Sequence, residues 1–368
     1  MINTELSPIA RRRWENFKKN KRGYYSLWIF TILFVACLFA EFIANDKPII
    51  ASINDRIIFP VVFTYTEKEL GGVLETEAYY KDPFITNLID QSGWAIWPPI
   101  PYSYDTIDWE LEAPFPHPPD ERHILGTDGA NSDVLAKLIY GFRLSVLFGL
   151  AMAIISTIIG VTVGALQGYF GGSTDLVGQR ILEIWQGLPV LFLLIILASM
   201  VEPTILWLLL VLSLFSWTAL VGVVRAEFLR ARNLEFVRAA RSLGVSDRII
   251  MIRHVLPNAM VATLTYMPFI LNGAITFLTA IDFLGFGLPV DSASLGRLLG
   301  LAKANLHAPW IGMSAFLTLA TLLTLLIFVG EAVRDAFDPR RIYESSHDDN
   351  ITDEPNIDQP DILGRTSA

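Results

Sequence analysis

Runs of roughly 20 apolar residues recur along this chain, and a run of that length with little charge can cross the hydrocarbon of a bilayer as a helix. Six such runs stand at about 24–44, 144–166, 184–201, 205–224, 259–281 and 311–329. Bilayer hydrocarbon offers the backbone no water, so a segment inside it must satisfy its own hydrogen bonds. The expectation is an all-α polytopic membrane protein with six transmembrane helices. Composition agrees, with 52% hydrophobic and 18% charged residues in 368, against about a quarter charged in soluble domains. The net charge of −9 describes no single region. Acidic residues gather in 46–121 and 344–361, while Arg gathers between the apolar runs. No nucleic-acid partner follows from such a balance. Cys37, the only cysteine, lies in an apolar run and reads as a small buried hydrophobe. A lone cysteine excludes an internal disulfide and a cysteine metal cluster.

Charge placement orients the spans. The stretch 1–23 is basic, with Arg11, Arg12, Arg13, Lys18, Lys19, Lys21 and Arg22. The first apolar run is too long for a signal peptide and lacks a small-residue cleavage site, so it reads as an uncleaved anchor. Arg180 follows the second run, Arg225 to Arg253 follow the fourth, and Arg334, Arg340 and Arg341 follow the sixth. With the N-terminus in the cytoplasm, all of these fall on the cytoplasmic side, as does the C-terminus.

Residues 45–125 are a different material, acidic, aromatic and rich in proline. Alternation over 57–66 predicts short strands, and the proline-rich pieces predict extended chain. This reads as a small extracytoplasmic insert. Residues 126–341 form the core with the other five spans and a polar loop at 225–258. The tail 342–368 is acidic and without apolar periodicity, which predicts disorder. A capped amphipathic helix is expected over 127–142, with Val134, Leu135, Leu138, Ile139 and Phe142 on one face, Lys137 opposite, and Ser132 or Asp133 as N-cap.

Chemistry is sparse. No glycine-rich phosphate loop ending in Gly-Lys-Ser/Thr exists, so ATP hydrolysis by this chain is not expected. No metalloprotease spacing and no Ser/His/Asp arrangement stands out. The five histidines, His117, His123, His254, His307 and His347, read as surface or interface residues. The span interiors lack ionisable groups, which disfavours an ion-driven carrier and favours a pathway powered from outside the membrane. Gly160, Gly164 and Gly168 make a groove for a neighbouring helix, within the chain or at a subunit seam. Pro189, and Pro268 with Asn272-Gly273, predict kinks. Gln186, Ser213, Ser216 and Asn272 are candidates to line a path.

The polar loop is the sharpest signal. Glu235, Val237, Arg238 and Arg241 belong to a predicted helix that Gly244 ends by taking a positive φ. Ser246-Asp247 caps a second helix over 248–255, and Leu256-Pro257 stops it. Small Ala239 and Ala240 allow close approach of another surface. Two readings stand on these residues alone: a grip for a partner protein, or a helix pair lying on anionic lipid.

These residues carry a resemblance. Glu235, Ala239, Ala240, Gly244, Asp247, Leu256 and Pro257 resemble the EAA loop of permease subunits from bacterial ATP-binding-cassette importers, of type I fold. Gly126-Thr127-Asp128 after Leu125, then Asp133-Val134-Leu135, Gly168 to Gly172, Phe283 to Gly287 and Arg334 to Pro339 are similar to motifs of the dipeptide/oligopeptide permeases. The acidic insert and 41–48 resemble the Yej-type permeases, importers of oligopeptides and the peptide-nucleotide microcin C. Asn131-Ser132 stands where the family has Gly-Arg, and the acidic tail lies outside the family pattern.

The resemblance implies a subunit of the bacterial inner membrane that is not itself an enzyme and holds no cofactor. ATP and Mg would sit in partner ATPase subunits. It further implies a second, homologous permease in a heterodimer, an extracytoplasmic peptide-binding protein, peptide substrate and surrounding membrane lipid. The alternatives are an ion-coupled secondary carrier, and a membrane receptor or scaffold that transports nothing.

Overall fold

The computed structural model describes residues 8–53, 56–109, 111, 115–289 and 291–337. The expected tail, Arg340, Arg341 and the Asp338-Pro339 end of one motif lie outside these residues. The basic segment forms α1 (Pro8–Lys19), followed by α2 (Lys21–Leu38) and the single turn α3 (Ala40–Ile43). The first expected span falls on α2 and α3, with a break at Phe39. Cys37 is half-buried there as a free thiol.

The insert contains a three-stranded antiparallel sheet of β1 (Ile50–Ile53), β2 (Arg56–Ile58) and β3 (Gly93–Ile96), in the order β2-β1-β3. Helix α4 (Pro83–Ser92) lies against it, and Ile53, Ile58, Leu70, Tyr80, Ile85 and Ile89 build a separate small core. Alternation over 57–66 overstated the strand. Pairing stops at Ile58, because Pro60 cannot donate and the chain turns there, closed by Phe59 carbonyl bonds to Val62 and Phe63 N–H.

Helix α5 (Val134–Phe170) has 37 residues and so extends roughly 55 Å, well beyond a bilayer's hydrocarbon. The expected amphipathic helix over 127–142 is not a separate element. It starts at Val134 and runs unbroken into the second span, since no helix breaker stands between Phe142 and Leu144. Helix α6 (Gly172–Gln186) and α7 (Val190–Met200) follow, bent by 64° across Gly187 to Pro189. The third expected span therefore falls on two helices with a sharp bend between them rather than on one straight helix. Pro189 ends the first piece by biasing its predecessor away from helix.

Helices α8 (Ile205–Ser216) and α9 (Thr218–Ala231) meet at Trp217 and together make one apolar stretch of 27 residues. Helix α10 (Glu235–Ser242) and the turn α11 (Asp247–Ile249) form the polar loop. A π-helical stretch, Ile250–Val255, then leads directly into α12 (Leu256–Phe283). Leu256-Pro257 thus fails to stop the helix, contrary to the sequence expectation. Pro257 sits in the first turn of α12, where its missing N–H costs little, and the wider π turn before it relieves the ring's clash. Pro268 also lies inside α12 without interrupting it. Helix α13 (Leu295–Ala304) and α14 (Pro309–Phe337) complete the described residues.

Among the described residues, four helices are long and apolar enough to cross a membrane, or five with the bent pair counted as one span. Ile154, Ile158, Phe192, Leu206, Leu210 and Phe316 are exposed on them, as a lipid-facing surface requires. Inside, α5 and α9 approach closely along one stripe. A Cβ built on Gly160, Gly164 or Gly168 would stand 2.7, 2.9 or 2.5 Å from carbonyl oxygens of Trp217, Val221 or Arg225. The three glycines serve packing within the chain.

Two ends can be told apart. At the insert end, the Trp310 indole N–H at the start of α14 donates to the Thr127 carbonyl, 3.2 Å, just before α5. At the other, Arg13 of α1 lies over the Phe337 ring at the far end of α14. Helices α5 and α14 both leave the insert end, so α1, the end of α14 and the polar loop after α9 share the opposite one.

Candidate functional site

The polar loop presents a nearly bare helix. In α10 only Val237 is fully buried, in a cluster with Ala165, Tyr169, Phe228, Ile250 and Val255. Ala240 packs partly against that cluster, while Ala239 faces outward. Glu235 opens the first turn, where a carboxylate suits the positive end of the helix dipole. Leu234, Phe236, Leu243 and Ile249 are exposed beside exposed Arg238 and Arg248. The helix ends as its sequence predicts. Gly244 takes φ +76°, its N–H bonds the Arg241 carbonyl at 3.0 Å, and the Val245 N–H bonds the Ala240 carbonyl at 3.1 Å. Ser246 holds the N-cap position of α11 with extended backbone but makes no side-chain cap bond.

Asp247 does something else. Its carboxylate accepts the Tyr169 hydroxyl at 2.5 Å, and Arg241 donates to the same hydroxyl oxygen at 3.1 Å. The end of α5 is thereby tied to both arms of the loop. Nearby, Arg225 of α9 forms a two-pronged ion pair with Asp175 of α6, with Nη2 to Oδ2 at 2.7 Å. The helix through Val237 and its end at Gly244 were legible from the sequence. The tie through Tyr169 was not, because its partners lie 72 and 78 positions away.

The second motif, around Gly126, Thr127, Asp128 and Asp133, is a knot at the insert end. Asp133 caps α5, accepting the Ala136 N–H at 2.7 Å, while Val134 N–H bonds the Gly126 carbonyl at 3.1 Å. Asp128 accepts the N–H groups of Ala130 and Ser132 at 2.9 and 3.1 Å and pairs with Lys137. Asn131 adopts φ +58° inside this turn.

His123 is fully buried at the knot's centre, which corrects the expectation of a surface or interface histidine. Its Nδ1 lies 2.8 Å from Asp133 Oδ2 and its Nε2 3.2 Å from Asp108 Oδ2, with the ring on Tyr102 at 4.4 Å. Burial opposes its charge, yet the two carboxylates together outweigh burial and raise its pKa. The signal missed was that Asp108, Asp133 and His123 converge only once the insert folds back onto α5.

Ser216 lines an apolar cavity of about 370 Å³ with Met152, Leu212, Tyr266, Phe269 and Phe277. Ser213, one turn from Ser216 on α8, is buried, Asn272 donates to the Leu323 carbonyl at 3.0 Å, and Gln186 is exposed at the α6–α7 bend.

A family model for the inner membrane component of binding-protein-dependent transport systems matches residues 156–343, spanning the loop, α10 and α12. A second, for the N-terminal transmembrane domain of oligopeptide transport permease C, matches residues 7–56. The chain belongs to this family of membrane-spanning permeases of ATP-binding-cassette importers. Among its relatives, the inner membrane ABC transporter permease protein YejE of Escherichia coli (strain K12) is 54% identical over 338 residues, 92% of this chain and 99% of that protein. The peptidoglycan transport system permease protein YejE of Agrobacterium fabrum is 54% identical over 362 residues, covering 92% and 95%. The oligopeptide transport system permease protein OppC of Haemophilus influenzae is 34% identical over 258 residues, covering 70% and 81%. Among solved structures, a chain of the MetNI methionine ABC transporter aligns with a TM-score of 0.45 at 15% identity, covering 54% of this chain and 96% of that one.

Proposed function

We propose that this chain is one half of the membrane core of a peptide importer, working with a second, homologous permease in a heterodimer. Cytoplasmic ATPase subunits bind ATP and Mg and carry out the hydrolysis, and an extracytoplasmic binding protein delivers the peptide. The observation that carries this reading is α10. It rests on one buried residue, Val237, and leaves Leu234, Phe236 and Leu243 uncovered among the described residues. A polar helix with an exposed apolar face needs a partner surface. In this reading an ATPase cleft receives α10, and nucleotide-driven closure favours one arrangement of the permease halves over another.

The end bearing α1, α10 and the end of α14 is the cytoplasmic one, since the basic residues gather there. Both termini then lie in the cytoplasm, and the insert faces the binding protein. Ser216 and the apolar cavity are proposed to border the path; a sparsely charged wall suits cargo with varied side chains. Oligopeptides are the proposed cargo, with peptide-nucleotides of the microcin C kind included. The relative named for peptidoglycan transport favours a further cargo, peptide-bearing cell-wall fragments. Competition by muropeptides against labelled oligopeptide uptake tests that addition.

The central test is affinity purification of the tagged chain from gently solubilised native membranes, with mass spectrometry of what accompanies it. A second permease and an ATPase are expected, the ATPase being lost on Gly244→Trp while membrane insertion persists. A well-folded chain that purifies alone favours the carrier or scaffold alternatives instead.

A further inference from the structure

We propose that Tyr169 is a positioning residue for energy coupling: its hydroxyl fastens both arms of the polar loop to the end of α5, so that displacement of α10 moves α5. This rests on the reading that an ATPase grips α10. The Tyr169 ring is buried, only 3% exposed, in the cluster that holds Val237. Its hydroxyl donates to Asp247 Oδ1 at 2.5 Å and accepts from Arg241 Nη2 at 3.1 Å. Arg241 lies in α10 and Asp247 in α11, on either side of the Gly244 turn.

Among the described residues, the turn between those arms is also closed by backbone bonds, Gly244 N–H to the Arg241 carbonyl and Val245 N–H to the Ala240 carbonyl, but these are local to the loop and do not reach α5. Arg241 and Asp247 approach each other directly only to 3.8 Å, and both are exposed. The space beside Gly244 is empty out to 4 Å. Direct attraction between two exposed ions contributes little, so the buried phenol supplies the fixed point. Hydrogen bonds to charged groups are the stronger and more directional kind.

The other end of this linkage is also defined. Gly160, Gly164 and Gly168 press α5 against α9 over three turns, so α5 and α9 move together. Helix α5 continues without a break to its Asp133 cap at the insert end. A tug on α10 is therefore delivered to a rigid element that traverses the whole molecule. Without the hydroxyl, α10 would be held to this cluster only by the non-directional apolar contacts of Val237 and Ala240.

Tyr169→Phe removes one oxygen and keeps the ring in its apolar seat. The assembled importer, with its binding protein, is reconstituted in proteoliposomes, and peptide moved is divided by ATP hydrolysed. Tyr169→Phe is expected to keep its ATPase and its hydrolysis while peptide moved per ATP falls about tenfold, the scale of one lost charged hydrogen bond. Asp247→Asn should lower the same ratio, and the double variant should be no worse than the poorer single one. An unchanged ratio in Tyr169→Phe overturns the proposal, as does an additive double variant. A purely structural role would lower yield, uptake and hydrolysis together and leave the ratio alone. Retention of the ATPase by Gly244→Trp would sink the docking reading itself, and this inference with it. Loss of the ATPase there, with normal coupling in Tyr169→Phe, would sink this inference alone.

Discussion

At the scale of single residues, His123 is the most consequential side chain the fold conceals. It is buried between the carboxylates of Asp108 and Asp133, and Asp133 is also the cap of α5. A histidine whose pKa is raised in the folded state holds its proton more tightly there, and so stabilises the fold as long as that proton is bound. That contribution is fully present below the ordinary value of 6.5 and is lost as pH rises through the higher folded value. Thermal unfolding in detergent, followed from about pH 6 to about pH 9, should therefore show a stability decline. His123→Gln should flatten it, because glutamine does not titrate; a decline that survives the substitution would remove His123 as its source. Asp133→Ala should cost more than a simple cap, which is worth about 1 kcal/mol, because it also strips His123 of its nearer carboxylate. A loss of about 3 kcal/mol is expected, read as a shift in the unfolding midpoint. A loss no larger than a cap alone would mean that Asp108 suffices.

At the scale of elements, glycines of the same residue type should answer substitution with opposite signs. Gly168 on α5 faces the Arg225 carbonyl so closely that a Cβ would sit 2.5 Å from it. Gly222 on α9 has nothing within 4 Å of the same position. Alanine normally favours a helix over glycine by about 1 kcal/mol, so Gly222→Ala should stabilise slightly or do nothing. Gly168→Ala should instead destabilise by about 1–3 kcal/mol through forced separation of the helices. Unfolding midpoints of the two variants, measured side by side, decide it, and equal effects would refute the close seam. The same contrast explains what the sequence could and could not disclose. Apolar runs placed most of the helices, and glycine spacing announced a groove on α5. Which helix filled the groove was invisible, because spacing names a face and not its neighbour. Pro257 read as a stop because local rules take no account of a preceding π turn. Pro189 did break its helix, but the 64° bend that follows depends on how α7 packs. The loop's Gly244 cap was legible because a positive φ is decided locally. The ties of Asp247 to Tyr169 and of His123 to two carboxylates are long-range, and nothing in their spacing signals them.

At the scale of the whole molecule, the insert is a unit with its own core, and its two attachment points are adjacent. Ala44 and Ile100 form a parallel bridge, the Asn45 N–H bonds the Ile100 carbonyl at 3.0 Å, and the Tyr140 hydroxyl holds the Ala44 carbonyl at 2.9 Å. The sheet, α4 and the core of Ile58, Tyr80 and Ile85 all lie between those points in sequence. Excising 47–97 and joining the ends with a short Gly/Ser linker should therefore leave the α5 knot and the spans intact. Two of the insert's cations are already spent, Lys47 on Glu77 and Lys68 on Glu75. Further carboxylates, among them those of Glu69 and Asp90, are left to give the surface a negative field. Such a field concentrates cations near a mouth and raises their association rate by about tenfold or more at low salt. On the proposed orientation this field meets incoming peptide and its binding protein. The excised chain should still assemble with its ATPase, so the loss would not be one of folding. Uptake of Lys- and Arg-rich peptides should fall several-fold more than uptake of neutral ones, and the difference should shrink as salt shortens the field's range to about 8 Å. Parallel uptake assays with matched cationic and neutral peptides at low and physiological salt measure both effects. Equal uptake of the two peptide classes by the excised chain would reduce the insert to a cover. A uniform loss that salt does not alter would point instead to docking of the binding protein through shape rather than charge.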